Sequence, residues 1–419
     1  MTDPFAALRI PRFARYIVTL FTLTLGIQIQ GTVVGWQVYD LTKDPLALGM
    51  IGLAEALPAI SFALYAGHVV DRHDRRRVAL MALWVLVACS VALWLLAGAR
   101  PLGAEMLTRT RLSAIYGVIV VSGIARAFLQ PARQALSAEL VPRALFANAI
   151  TWRSGSWQLA SVIGPALGGL LYAAGGTRLA YGVDAALVAA ATMLLISISH
   201  RSPDRGVTHE SVFDSVAGGV RFVFREPVLL GALTLDLFSV FFGGAVALLP
   251  IFAAEILHVG PTGLGVLRAS PAVGAVFMSV VLARRRDWNH TGRVLLTAVT
   301  GFGVCMVLFS LSTSFLLSIV LLVGSGMFDM VSVVIRSTLL QSRTPEGMLG
   351  RVSSVNQIFI GSSNEIGMFE SGVTARWWGP VGSVLVGGLA TLGVVGIIAW
   401  TVPSLRRLGR LHPEERSGV

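Results

Sequence analysis

The chain is poor in charge. Asp, Glu, Lys and Arg make up 13% of its 419 residues, against 54% hydrophobic residues; a soluble domain carries about 25% charged residues. Lysine is almost missing, since Lys43 is the one lysine and every other cation is an arginine. The two cysteines, Cys89 and Cys305, lie in separate apolar stretches. That excludes a disulfide framework or a cysteine-built metal site, and both read as packing residues. Seven histidines are scattered, mostly in polar loops, and form no metal set. No glycine-rich loop ends in Gly-Lys-Ser or Gly-Lys-Thr, so nucleotide-driven pumping has no support. No catalytic constellation stands out either. These absences point away from an enzyme and from any cofactor.

Apolar sequence is what the chain has in abundance. Its mean hydropathy is +0.74, and the apolar residues fall in long blocks, which read as membrane-spanning helices. Twelve spans can be placed, at about 14–38, 46–70, 76–99, 111–133, 152–174, 178–198, 228–254, 262–283, 292–311, 314–337, 351–374 and 379–402. The expected fold class is therefore an all-α membrane protein of twelve transmembrane helices. The first block is too long for a cleaved signal peptide and should remain as span 1.

The formal net charge of +11 raises nucleic acid as a partner, but its distribution argues against one. Most arginines lie at the two ends and in alternate loops, which is the positive-inside pattern, and no soluble basic domain exists to hold a nucleic acid. An even number of spans puts both termini on one side. Arg9, Arg12 and Arg15 before span 1 and Arg406, Arg407 and Arg410 after span 12 make that side the cytoplasm, in a multi-pass protein of the bacterial inner membrane.

An internal repeat divides the chain in two. Residues 132–149 align with 335–352 at an offset of 203, setting Arg133 on Arg336, Leu136 on Leu339 and Pro142 on Pro345. The same offset sets Gly164 on Gly367 and Gly169 on Gly372. Arginine triplets at 75–77 and 284–286 are spaced by 209. Two parallel six-helix halves are implied: an N-terminal bundle over 1–198 and a C-terminal bundle over 228–419. Residues 199–227 between them are the longest polar segment and read as a cytoplasmic linker with an amphipathic surface helix.

Between spans 2 and 3 stands Gly67-His68-Val69-Val70-Asp71-Arg72-His73-Asp74-Arg75-Arg76-Arg77. A glycine suits a tight helix contact, a carboxylate at the membrane boundary can accept from exposed helix N–H groups, and arginines can pair with acids and lipid phosphates. The loop resembles the signature of the major facilitator superfamily, Gly-x-x-x-Asp-Arg-x-Gly-Arg-Arg, with Asp74 where the superfamily has Gly. The resemblance implies the major facilitator fold, two pseudo-symmetric six-helix bundles working by alternating access. It also implies that Gly67, Asp71, Arg72, Arg75 and Arg76 form a gating loop that latches the halves, with span 11 near Arg351 as the docking partner of Asp71.

Span 5 holds Gly164-Pro165-Ala166-Leu167-Gly168-Gly169. Proline interrupts the backbone ladder and glycines thin the helix, which makes a pliable, close packing seam. The run resembles the second half of the motif of proton-driven drug and metabolite antiporters; the first half is missing, since position 160 is Ala. Ser342-Arg343-Thr344-Pro345-Glu346-Gly347-Met348-Leu349-Gly350-Arg351 is similar to the corresponding loop of enterobactin-exporter-like permeases, a branch that includes macrolide and multidrug efflux proteins. Membership implies export of siderophore-like or lipophilic drug-like small molecules.

Charges inside the membrane are costly, at least about 2.5 kcal/mol each on insertion scales, and so are candidate sites. They are Glu55, Arg126, Asp184, Asp236, Arg268, Asp329, Glu365 and Glu370. In the fold implied, spans 1, 4, 7 and 10 line the cavity, which ranks Asp236, Asp329 and Arg126 first for the proton-coupling or substrate path, followed by Glu55 and Glu365. Arg126 and Asp329 are also 203 residues apart and are expected to face each other across the path. Asp184 is expected to have a structural partner. Gln28 and Gln30 on span 1 suit either substrate contacts or interhelical hydrogen bonds, and Phe238, Phe241 and Phe242 suit either an aromatic wall beside Asp236 or a lipid-facing surface. The reading is a monomeric secondary exporter that exchanges a small-molecule substrate for protons amid membrane lipids. A lipid or lysophospholipid flippase on the same fold is the alternative, and a non-transporting membrane sensor a more distant one.

Overall fold

The computed structural model describes residues 3–98, 104–199, 212–243, 245–284, 289–345 and 348–409; within these, the side chains of 63, 64, 71, 104–108, 212–216, 354, 358 and 362 are not described. Ten helical stretches among them are long and apolar enough to cross a membrane. Two of the ten carry two spans each. The helix Phe146–Ile196 breaks at Gly175 and Gly176, and the helix Leu349–Thr401 breaks at Gly379. Twelve spans result, as the hydropathy predicts.

Those two breaks repeat each other. Gly176 and Gly379 lie 203 positions apart, the offset of the sequence repeat, and both take a left-handed φ, 66° and 74°. A side chain is strained there and glycine is not, so the same residue turns the chain between spans 5 and 6 and between spans 11 and 12.

The remaining spans are Pro11–Thr42, Pro45–Arg72, Arg75–Gly98 and Ala104–Glu139 in the first half, and Pro227–Phe242, Gly260–Ala283, Thr291–Leu311 and Phe315–Arg343 in the second. Their ends have local causes. Proline at the first turn starts spans 1 and 2, where its missing N–H goes unused, and the Asp44 carboxylate accepts from the Leu46 N–H at 3.0 Å to cap span 2. Ser314 caps span 10 by accepting from Leu317 N–H. Spans 4 and 10 run past their apolar cores, to Glu139 and Arg343, because a helix continues through polar residues that a hydropathy window discards.

Span 7 departs from the sequence expectation of one helix over 228–254. It ends at Phe242, and the chain continues through a 3₁₀ turn at Ala245–Ala247 and short helical turns to Ile256. Two features break the ladder. Gly243, the C-cap, is a weak helix former, and Pro250 has no N–H to give.

The chain forms two compact units, one of Met1–His209 with Leu249–Ala269, the other of Glu210–Leu248 with Ser270–Val419. In the first, span 1 packs on the helix of spans 5 and 6, span 2 on span 4, and span 3 on both span 4 and spans 5–6. In the second, spans 7 and 9 pack on the helix of spans 11 and 12, and span 10 on span 9. Lipid gives little hydrophobic drive to such packing, so it rests on close approach at small residues. A Cβ on Gly164 would overlap that of Gln28 on span 1, and one on Gly367, the repeat partner, would stand 2.8 Å from the Phe241 carbonyl of span 7. Cys89 and Cys305 are free and buried. The linker helix Val212–Arg225 seats Val223 among Leu229, Leu340 and Val352, while Phe224 is exposed; the linker before it lies outside the described residues.

Candidate functional site

The gating loop is ordered by its own polar groups. Asp74, the departure from the superfamily signature, accepts from the Arg77 N–H at 2.8 Å and caps span 3. An acid therefore does local work where the signature has glycine. Arg75 forms a well-buried ion pair with Glu139 at the end of span 4. Arg76 donates to the Ile196 carbonyl at 2.6 Å at the end of span 6, and Arg72 is exposed. The expected tight contact at Gly67 is not found: a Cβ there would meet nothing within 4 Å among the described residues. The Asp71 side chain lies outside the described residues.

The glycines of the span 5 motif are used for close crossing. A Cβ on Gly168 would stand 3.1 Å from the Ile29 carbonyl, and one on Gly169 would stand 2.5 Å from that of Pro261. Gly265 answers from span 8, with its Cβ position 2.6 Å from the Pro165 carbonyl.

Two polar centres lie inside the spans, one in each unit. In the first, Arg126 of span 4 donates to Glu55 of span 2 at 2.7 Å and to Ser122, one turn back, at 3.0 Å. The pair is partly open, with side chains 27% and 25% exposed, and it borders a small cavity whose polar lining is completed by Gln30 and Ser122. Gly123 beside it lets span 2 approach, its Cβ position being 3.2 Å from Pro58. Gln30 also donates to Asp184 at 3.1 Å. Asp184 is fully buried, and its Oδ1 has no hydrogen-bond partner among the described residues. The structural partner expected for Asp184 is thus Gln30, and Gln30 both bonds between helices and lines the cavity.

In the second unit Arg336 of span 10 is ion-paired with Asp236 of span 7, the two side chains only 6% and 8% exposed. Asp329 stands on the same face of span 10, two turns earlier. Asp236, Asp329, Ser239 and Ser332 line a narrow cleft with Val240, Val299, Phe302 and Phe328. The structure brings Asp236 and Asp329 to one cleft and adds Arg336, which the sequence marks only as a repeat match. The spacing of seven between Asp329 and Arg336 was the available signal, since it sets both on one helical face. Arg126 takes Glu55 as its acid within its own unit. Glu365 sits half-buried on span 11. Phe242 stacks on Phe238 and meets Phe241 edge-on, so the three phenylalanines cluster at the end of span 7.

Comparison with known proteins agrees with this architecture. Residues 2–412 match the model of the transmembrane secretion effector family. The chain is 26% identical over 406 residues to the enterobactin exporter EntS of Shigella flexneri, covering 96% of this chain and 95% of the relative. It is 25% identical over 404 residues to the exporter of the same name from Shigella boydii, at 96% and 95% coverage. Among solved structures, a D-xylose-proton symporter superposes with a TM-score of 0.72 at 12% identity, covering 95% of this chain and 99% of that one. A bacterial homologue of the iron transporter ferroportin, in an inward-facing state, gives 0.69 at 16% identity, covering 93% and 99%. At these identities the likeness is one of fold. The chain is a multi-pass membrane transporter of small molecules, not an enzyme, and it belongs to the transmembrane secretion effector family of the major facilitator superfamily.

Proposed function

We propose that this transporter exports an amphiphilic small molecule, siderophore-like or drug-like, across the bacterial inner membrane in exchange for protons. Both termini lie in the cytoplasm and the protein acts as a monomer. One observation carries the coupling. The second unit sets two carboxylates, Asp236 and Asp329, against one guanidinium, Arg336, within the membrane spans. A net charge there is costly, and a single proton closes the balance. Binding and releasing that proton is what an antiporter needs from its acids. The cavity beside Glu55 and Arg126 offers the other requirement, an apolar space with a few fixed polar groups. The names of the relatives support siderophores as a cargo class.

The test is flux in proteoliposomes under an imposed pH gradient, over siderophores, macrolides and lipophilic cations. Movement of one class against the proton flow, abolished by a protonophore, is the expected result. Phospholipid movement indifferent to the gradient would assign a flippase, and absence of any flux would leave a sensor.

A further inference from the structure

The first unit contains a cation that the ion pairs above do not use. Arg268 projects from span 8 onto span 1, where its guanidinium donates to the Gly31 carbonyl at 2.7 Å. Gly31 and Gly35, one turn apart, make the space for it: their Cβ positions stand 3.6 and 3.4 Å from its terminal nitrogens. Among the described residues Arg268 has no acid within ion-pair distance, and the bond to Gly31 is the one hydrogen bond it makes. An arginine carries five N–H donors, so most of this guanidinium is unengaged. A cation at membrane depth normally has a partner. Glu55 is near enough to attract Arg268, but its carboxylate is engaged by Arg126.

Arg268 also adjoins, through Gly31, a small polar opening between the helices. Gly31, which it clasps, lines this small cavity together with Gln30, Glu55, Ser122 and Arg126. The other walls are apolar, with Ile27, Val34, Ile51 and Leu93 among them. With Asp184 behind Gln30, the four charges of the region balance formally, so net charge is not the argument. The argument is geometric: one guanidinium has open donors beside a part-apolar cavity. A planar fork of this kind binds a carboxylate or another oxyanion in two-point fashion.

We propose that Arg268 is the specificity-determining residue for an anionic group on the cargo, so that the substrate class is an amphiphile with an oxyanion at one end. The proposal rests on the transport reading and narrows it. Glu55 excludes a second anion near Arg126, while the apolar walls take the rest of the molecule.

Three probes that share the dansyl fluorophore separate the charges: dansylglycine is anionic, dansylamide neutral and dansylcadaverine cationic. Binding to the full chain in lipid nanodiscs is read by the rise in dansyl fluorescence. Wild type should bind dansylglycine at least about tenfold more tightly than dansylamide, a difference of about 1.4 kcal/mol. Arg268→Gln should remove that preference, and Arg268→Lys should keep part of it. A wild type that binds all three alike, or binds none, overturns the proposal without any variant. So does an Arg268→Gln protein that keeps the preference. Because binding is read without flux, a failed exporter reading shows itself separately, in the proteoliposomes.

Discussion

The two units solve the same problem, charge within a membrane helix bundle, in opposite ways. In the first, Glu55 and Arg126 meet at a cavity wall and remain about a quarter exposed. In the second, Asp236 and Arg336 are almost fully enclosed, and a further carboxylate, Asp329, shares their surroundings. The repeat sets Arg336 on Arg133 but does not relate the other charges: the position 203 before Asp236 is Val33, and the position 203 after Arg126 is Asp329. The framework repeats in its glycines, Gly164 with Gly367 and Gly176 with Gly379, while most of the interior charges differ. The open pair suits a site that exchanges contacts with a cargo. The enclosed trio suits a site that exchanges only something as small as a proton.

The largest test of this contrast is stability. Asp236→Ala strands Arg336 in an enclosed site, which costs about 3–5 kcal/mol for a broken buried pair. Glu55→Gln acts on a pair that is about a quarter exposed, and exposed pairs contribute about 1 kcal/mol or less. Thermal unfolding in detergent should therefore show a large drop in Tm for the first and little change for the second. Equal drops would remove the distinction between the centres. Adding Arg336→Met to Asp236→Ala should restore much of the loss, because an apolar pair of similar volume replaces a buried ion pair at little cost.

The glycines test the opposite claim, that the halves are alike in framework. Gly164→Ala and Gly367→Ala each force a Cβ into a neighbouring helix, against Gln28 and the Phe241 carbonyl respectively. Overpacking of this sort costs about 1–3 kcal/mol. Similar destabilisation at both positions, read in the same unfolding assay, is the expected outcome; a neutral change at one of them would show that the repeat no longer carries the contact there.

Coupling gives the next contrast. Asp329→Asn removes the excess acid of the second unit and with it the need for a proton. The pH gradient should then no longer accelerate transport in proteoliposomes, while exchange of labelled for unlabelled substrate continues. The sign follows from the charges: with the amide the centre is balanced without a proton, so acidifying the side that supplies protons confers no advantage. Glu55→Gln should instead leave the gradient response and alter the apparent affinity for cargo. A gradient response that survives Asp329→Asn would move the coupling site elsewhere.

Much of this was legible from residues alone, and the reasons are specific. Twelve spans emerge because apolar blocks are the least ambiguous signal a membrane chain carries, and Asp236 and Asp329 stand out because acids are rare inside them. Arg336 was passed over because it lies near the end of span 10, where arginines are ordinary interface residues; its partner on span 7 is a matter of packing that no spacing reveals. Arg268 lies inside a span, but its distinction, no acid within ion-pair distance among the described residues, exists only in three dimensions. The break in span 7 was hidden because Gly243, Ala245 and Val246 are apolar enough to pass as helix.

The smallest effect is expected at the helix ends, and it bounds the rest. Arg343 at the end of span 10 pairs with Glu226 at 3.4 Å, with side chains 42% and 30% exposed. Its counterpart in the first unit, Arg75 with Glu139 at the end of span 4, is 12% and 4% exposed. Solvent screens the former pair, so Arg343→Gln should shift stability by no more than about 0.5 kcal/mol. Arg75→Gln should cost several times as much, because a buried carboxylate loses its ion-pair partner. The same unfolding assay compares them directly. If Arg343→Gln proved as damaging as Arg75→Gln, burial would not be what separates one unit's charges from the other's, and the contrast between the interior centres would lose its physical basis as well.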